Sequence, residues 1–69
     1  MTELKIICNG ESRLVSVNTT VAALIAELGL EQTQLAVELD GRVLTAEGLD
    51  NAMLTENSRL ELIRFVGGG

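Results

Sequence analysis

Few residues of this sequence are equipped for chemistry, and the clearest of them stand at its end. Histidine is absent, so the usual proton shuttle near neutral pH is missing. Serines and threonines are present, but none has an evident base partner. Cys8 is the one soft nucleophile. It falls where a first strand should face the core, and a thiol in apolar surroundings has a raised pKa and is inert. A persulfide-carrying role is the alternative reading of it. One cysteine and no histidine also leave no disulfide and no zinc cluster. No glycine-rich loop follows a strand and opens a helix, so the phosphate-cradling motifs are missing too.

What is left is the ending "RFVGGG". The segment from Val66 to Gly69, extended at roughly 3.3–3.6 Å per residue, reaches about 13–14 Å past the last strand. Gly67 and Gly68 have no Cβ, so such an arm enters a narrow channel and lets a partner approach its backbone closely. At the tip stands the α-carboxylate of Gly69. A carboxylate is a poor electrophile. Adenylated by ATP it becomes a mixed anhydride, from which a sulfur or nitrogen nucleophile displaces AMP. On this reading the folded part is a handle and the terminus is the reactive group, so the chain is not itself an enzyme.

The elements that must carry this arm are legible from period and turn signals. Leu4, Ile6 and Cys8 alternate as in a strand. Asn9-Gly10 favours a type I′ turn, because both central residues need positive φ. Val15 and Val17 share one face of the returning strand. Val21, Leu24, Ile25 and Leu28 then fall at i, i+3, i+4 and i+7, one apolar face of a helix. Thr20 or Thr19 caps its start, and Gly29 closes it in the left-handed conformation with Leu30 folding back. "EQTQ" reads as a polar connector. Val37 and Leu39, the turn Asp40-Gly41 and then Val43 repeat the hairpin signature. A short helical turn follows, with Leu49, Met53 and Leu54 expected inward. "TENS" reads as a polar turn, and "RLELIRF" as a last strand with Leu60 and Leu62 inward and Ile63 and Phe65 on the other side of the pleat. The order is β-β-α-β-β-short helix-β. It predicts an α+β domain, a mixed sheet of four to five strands packed on one main helix.

The expected core is Leu4, Ile6, Cys8, Val15, Val17, Val21, Leu24, Ile25, Leu28, Val37, Leu39, Leu54, Leu60 and Leu62. We expect residues 1–66 to form the domain and residues 67–69 a flexible tail. At 69 residues the chain is one domain, and so small a fold has little surplus stability for ordering residues that bury nothing. The net charge of −5 argues against binding a phosphate backbone and suits a basic protein partner. Apolar runs are far shorter than the roughly 20 residues of a membrane span, and "MTELKIIC" lacks the pattern of a signal peptide. The expected location is the cytoplasm, with no membrane or nucleic-acid partner and no bound metal or cofactor.

The stretches "KIICNGE", "TTVAALIAELGL", "AVELDGRVL" and "RLELIRFVGGG" resemble the ThiS family of sulfur carriers of thiamine biosynthesis. The resemblance covers most of the chain, and its most specific parts are the helix and "FVGGG". It implies the ubiquitin-like β-grasp fold. It implies that an E1-like adenylyltransferase of the ThiF type activates Gly69 with ATP, that a persulfide sulfur donor converts the adenylate to a thiocarboxylate, and that a thiazole synthase of the ThiG type receives the sulfur. Gly68, Gly67 and Val66 would then be the residues of the tail that partners recognise, and Phe65 and Ile63 would dock the partner. The segment "LTAEGLDNAML" lacks the proline and tryptophan frequent in the family, and Leu49 is expected in the aromatic's place. "TENS" replaces a glycine-containing turn, and Ala23 stands where a capping-box glutamate is common. These departures leave open a sister carrier, such as the small subunit of molybdopterin synthase. From a different class, a ubiquitin-like modifier or interaction domain remains the alternative.

Overall fold

Both hairpin turns and both α-helices begin or end at residues whose backbone or side chain suits the boundary. The computed structural model describes residues 2–65. Strand β1 (Glu3–Cys8) returns antiparallel as β2 (Glu11–Ser16), from Cys8↔Glu11 to Glu3↔Ser16. The link is Asn9 at φ 50° and Gly10 at φ 83°, both left-handed as a type I′ turn requires. Helix α1 (Val21–Glu27) begins where the Thr20 hydroxyl accepts the Ala23 N–H at 3.1 Å. It ends in a Schellman motif: Leu30 N–H donates to the Ile25 carbonyl at 3.1 Å and Gly29 N–H to the Ala26 carbonyl at 3.0 Å. Gly29, at φ 75°, supplies the left-handed residue that this closure needs.

After a single 3-10 turn at Gln32–Gln34, β3 (Leu35–Leu39) and the two-residue β4 (Arg42–Val43) form the second hairpin around Asp40-Gly41. The short helix α2 (Ala46–Asn51) is capped by the Thr45 hydroxyl on Gly48 N–H, and β5 (Arg59–Arg64) closes the sheet. The strand order is β2-β1-β5-β3-β4, with β5 parallel to β1 and antiparallel to β3. This is the expected mixed sheet, with five strands, on one main helix: the ubiquitin-like β-grasp fold.

The core is Ile6, Val15, Val21, Leu24, Ile25, Val37, Leu49, Leu54 and Leu60. Leu4, Cys8, Leu28, Leu39 and Leu62 are half-buried around it. Leu49, expected inward, is the buried residue of α2. Two expected core residues lie outside it. Val17 follows the end of β2, an edge strand, and is 38% exposed. Met53 forms an isolated bridge with Thr20 and is 49% exposed; successive side chains in extended backbone point to opposite sides, so with Leu54 inward Met53 must face out. The polar turn before β5 also holds more than expected. Ser58 is buried, its hydroxyl accepting Thr55 N–H at 2.9 Å. Val66, Gly67, Gly68 and Gly69, and with them the expected boundary between domain and tail, lie outside the described residues.

Candidate functional site

The candidate site is the end of β5, from which the chain runs on toward Gly69. Hydrogen bonds hold this strand from both sides. On the β3 side the register runs from Leu39↔Leu60 to Leu35↔Arg64. Phe65 N–H then donates to the Gln34 carbonyl at 2.9 Å, so the guidance of β3 extends one residue past the strand. On the other side β1 pairs only at its last residues, Ile7↔Arg59 and Cys8↔Leu60.

The first residue of each hairpin turn adds a further hold. Asp40 N–H donates to the Arg59 carbonyl at 2.8 Å, and its Oδ1 accepts Arg59 N–H at 2.8 Å. Asn9 N–H donates to the Leu60 carbonyl at 2.9 Å, and its Oδ1 accepts Leu62 N–H at 2.8 Å. Sequence reading identified Asn9 and Asp40 as turn residues only. Both are short polar side chains that tolerate left-handed backbone, but which strand their oxygens reach is set by the order of strands in the sheet, which no local pattern announces.

Alternation along β5 sends Leu60 and Leu62 to the helix side and Glu61 and Ile63 to the free face, with Phe65 continuing that set. Ile63 is 51% and Phe65 58% exposed. Ile63 faces Ala36 across the pair with β3, and Glu61 faces Glu38. Val43, opposite Glu38 on the edge strand, is exposed as well. The two residues expected to dock a partner therefore stand together on one open face, just before the segment that leads to Gly69. The tail residues themselves, Val66, Gly67, Gly68 and Gly69, lie beyond the described residues.

Cys8 lies elsewhere, on the helix side of β1. It is half-buried against the core and opens on a cleft of about 420 Å³ lined by Leu28, Leu30, Leu35 and Leu62 and by Arg13 and Arg64. Burial pushes its thiol above the ordinary value; Arg13 opposes this, while Glu61 and Glu11 add to it. A thiol held protonated is a weak nucleophile, which agrees with its reading as a packing residue. Among the described residues no group of three or more His, Cys, Asp or Glu is placed to hold a metal ion. No helix among them is long and apolar enough to cross a membrane.

Comparison with known proteins places this geometry. The model of the ThiS family matches residues 5–69. A thiazole synthase of Paramagnetospirillum magneticum is 33% identical over 66 residues, which are 96% of this chain and 20% of that protein. A thiazole synthase of Magnetococcus marinus is 32% identical over the same share of each. The chain thus spans 20% of the length of these curated relatives. Among solved structures, the crystal structure of the thiamine biosynthesis protein ThiS from Geobacter metallireducens superposes with a TM-score of 0.81 at 29% identity, covering 96% of this chain and all of that one. A solution structure of a thiamine biosynthesis protein from the same organism gives 0.78 at 29% identity, covering 96% of this chain and 88% of that one.

Proposed function

The chain belongs to the ThiS family, and from that premise we propose that it is a sulfur carrier for thiazole formation in thiamine biosynthesis. The observation that carries this reading is the family match, which runs through the glycine ending to residue 69. The body, residues 1–66, serves as the handle, and residues 67–69 are the arm. The exposed pair Ile63 and Phe65 docks the partner, and Val66, Gly67 and Gly68 thread its active site.

The reacting group is the α-carboxylate of Gly69. One of its oxygens attacks the α-phosphorus of ATP in an adenylyltransferase of the ThiF type, and pyrophosphate leaves. The terminal sulfur of a persulfide then attacks the acyl carbon and AMP departs, leaving an acyl disulfide. A thiol cleaves that disulfide by attacking its outer sulfur, and the thiocarboxylate is released. The carrier supplies no proton shuttle and no metal to these steps; it is a co-substrate, and ATP belongs to the activating partner. A thiazole synthase of the ThiG type is the acceptor. Support comes from the two relatives that bear that name and contain a segment similar to 96% of this chain. We place this cycle in the cytoplasm, where ATP is available to the activating partner.

The test is reconstitution. Mixed with ATP and an adenylyltransferase of this type, the chain should support release of one pyrophosphate per carrier. Gly68→Val should abolish the release while the fold persists, because a branched side chain blocks the channel. Undiminished release from that variant would overturn the tail mechanism.

A further inference from the structure

We infer that Asn9 is a positioning residue for the carrier reaction, holding the exit of β5 through its carboxamide; the inference rests on the sulfur-carrier reading above. Strand β1 ends at Cys8, so after Leu60 the strand β5 has lost its neighbour on that side. Because Phe65 N–H faces β3, the alternation of an antiparallel ladder turns the N–H and C=O of Leu62 toward the vacated side. There the Asn9 side chain takes the place of the missing strand residue. Its Oδ1 accepts Leu62 N–H at 2.8 Å, and its Nδ2 donates to the Leu62 carbonyl at the longer distance of 3.4 Å. A carboxamide accepts at its oxygen and donates at its nitrogen, and here the short contact is the one to the oxygen.

The turn does not require this. A left-handed first residue is satisfied by glycine or aspartate as well as by asparagine, and the second hairpin uses Asp40 at φ 51°. The acceptor oxygen on Leu62 N–H therefore does something the turn does not ask of it. Its contact sits at Leu62, directly before the exposed Ile63 and three residues before Phe65. At the other end of the strand the Asp40 carboxylate holds Arg59 as an acceptor alone. The two turns thus grip β5 at its start and near its exit, and the grip at the exit fixes the strand that presents the docking pair.

The variant Asn9→Gly keeps the left-handed turn and removes the grip. Asn9→Asp keeps the acceptor for Leu62 N–H. In the intact chain, hydrogen exchange of the Leu62 amide should rise about five- to tenfold in Asn9→Gly. In ATP-dependent pyrophosphate release, the KM for the carrier should rise several-fold while kcat stays within about twofold, since the chemistry at Gly69 is unaltered. Asn9→Asp should restore both. A melting curve taken alongside shows that the variant is folded at the assay temperature. An unchanged Leu62 exchange rate, an unchanged KM despite faster exchange, or an Asn9→Asp variant as impaired as Asn9→Gly would each overturn the inference. Failure of the unmodified chain to support pyrophosphate release is a distinct result; it would remove the carrier reading and this inference with it.

Discussion

Truncating Phe65 separates the handle from what it presents. Phe65 lies outside the core, the residue is 58% exposed, and its backbone N–H is bonded to Gln34, the residue before β3. Phe65→Ala should therefore cost the isolated chain less than about 1 kcal/mol. Fully burying a large apolar side chain is worth about 1.5–3 kcal/mol. The exposed share of the residue, 58%, is the most that a docking partner would newly cover, and it corresponds to about 0.9–1.7 kcal/mol. At about 1.4 kcal/mol per factor of ten, the KM for the carrier in adenylation should rise about five- to twentyfold. Urea unfolding measures the first quantity, and initial rates of pyrophosphate release measure the second. An unchanged KM, or a stability loss above about 2 kcal/mol, would refute the assignment of this ring to the partner rather than to the body.

Two further outcomes follow from the same geometry. Burial raises the Cys8 thiol above its ordinary value of 9.0, so the unfolded chain gives up that proton first as pH rises. The stabilisation is present in full below the ordinary value and is lost as pH climbs through the raised folded one. The unfolding free energy should accordingly fall at alkaline pH, and a Cys8→Ala variant should lack that component of the fall; identical profiles would contradict the burial argument. Glu38 and Glu61 stand directly opposite each other on the free face, where like charges repel. Glu61→Gln should raise stability by a few tenths of a kcal/mol at low salt, and the gain should shrink as salt is added; a loss of stability would show that some other contact of Glu61 dominates.

Much of this fold is legible in local sequence, for identifiable reasons. Asn9-Gly10 and Asp40-Gly41 announce the two hairpins because few residues accept positive φ at both turn positions. Val21, Leu24 and Ile25 reveal the helix face because only one side of it is covered, and Gly29 marks its end because the closing residue is left-handed. What stays hidden depends on which strands become neighbours. The pairing of β5 with β1 on one side and with β3 on the other places the oxygens of Asn9 and Asp40 on a strand distant in sequence, and nothing near either residue encodes that. Ser58 reads as a turn residue because its burial comes from the body closing over the loop. Val17 and Met53 read as core because they are apolar, although an edge position and an unfavourable phase turn them outward. At the candidate site, the exposure of Ile63 and Phe65 follows from simple alternation, whereas the grips that steady them do not.

The central claim is that the working group of this carrier is the acid of Gly69, and intact and fragment mass measurement of the chain isolated from sulfur-replete cells tests it most directly. The account predicts a fraction heavier by the exchange of one oxygen for sulfur, with the change confined to the C-terminal fragment that ends in Gly69. A chain that never acquires the exchange, or sulfur found on Cys8 instead, would contradict it.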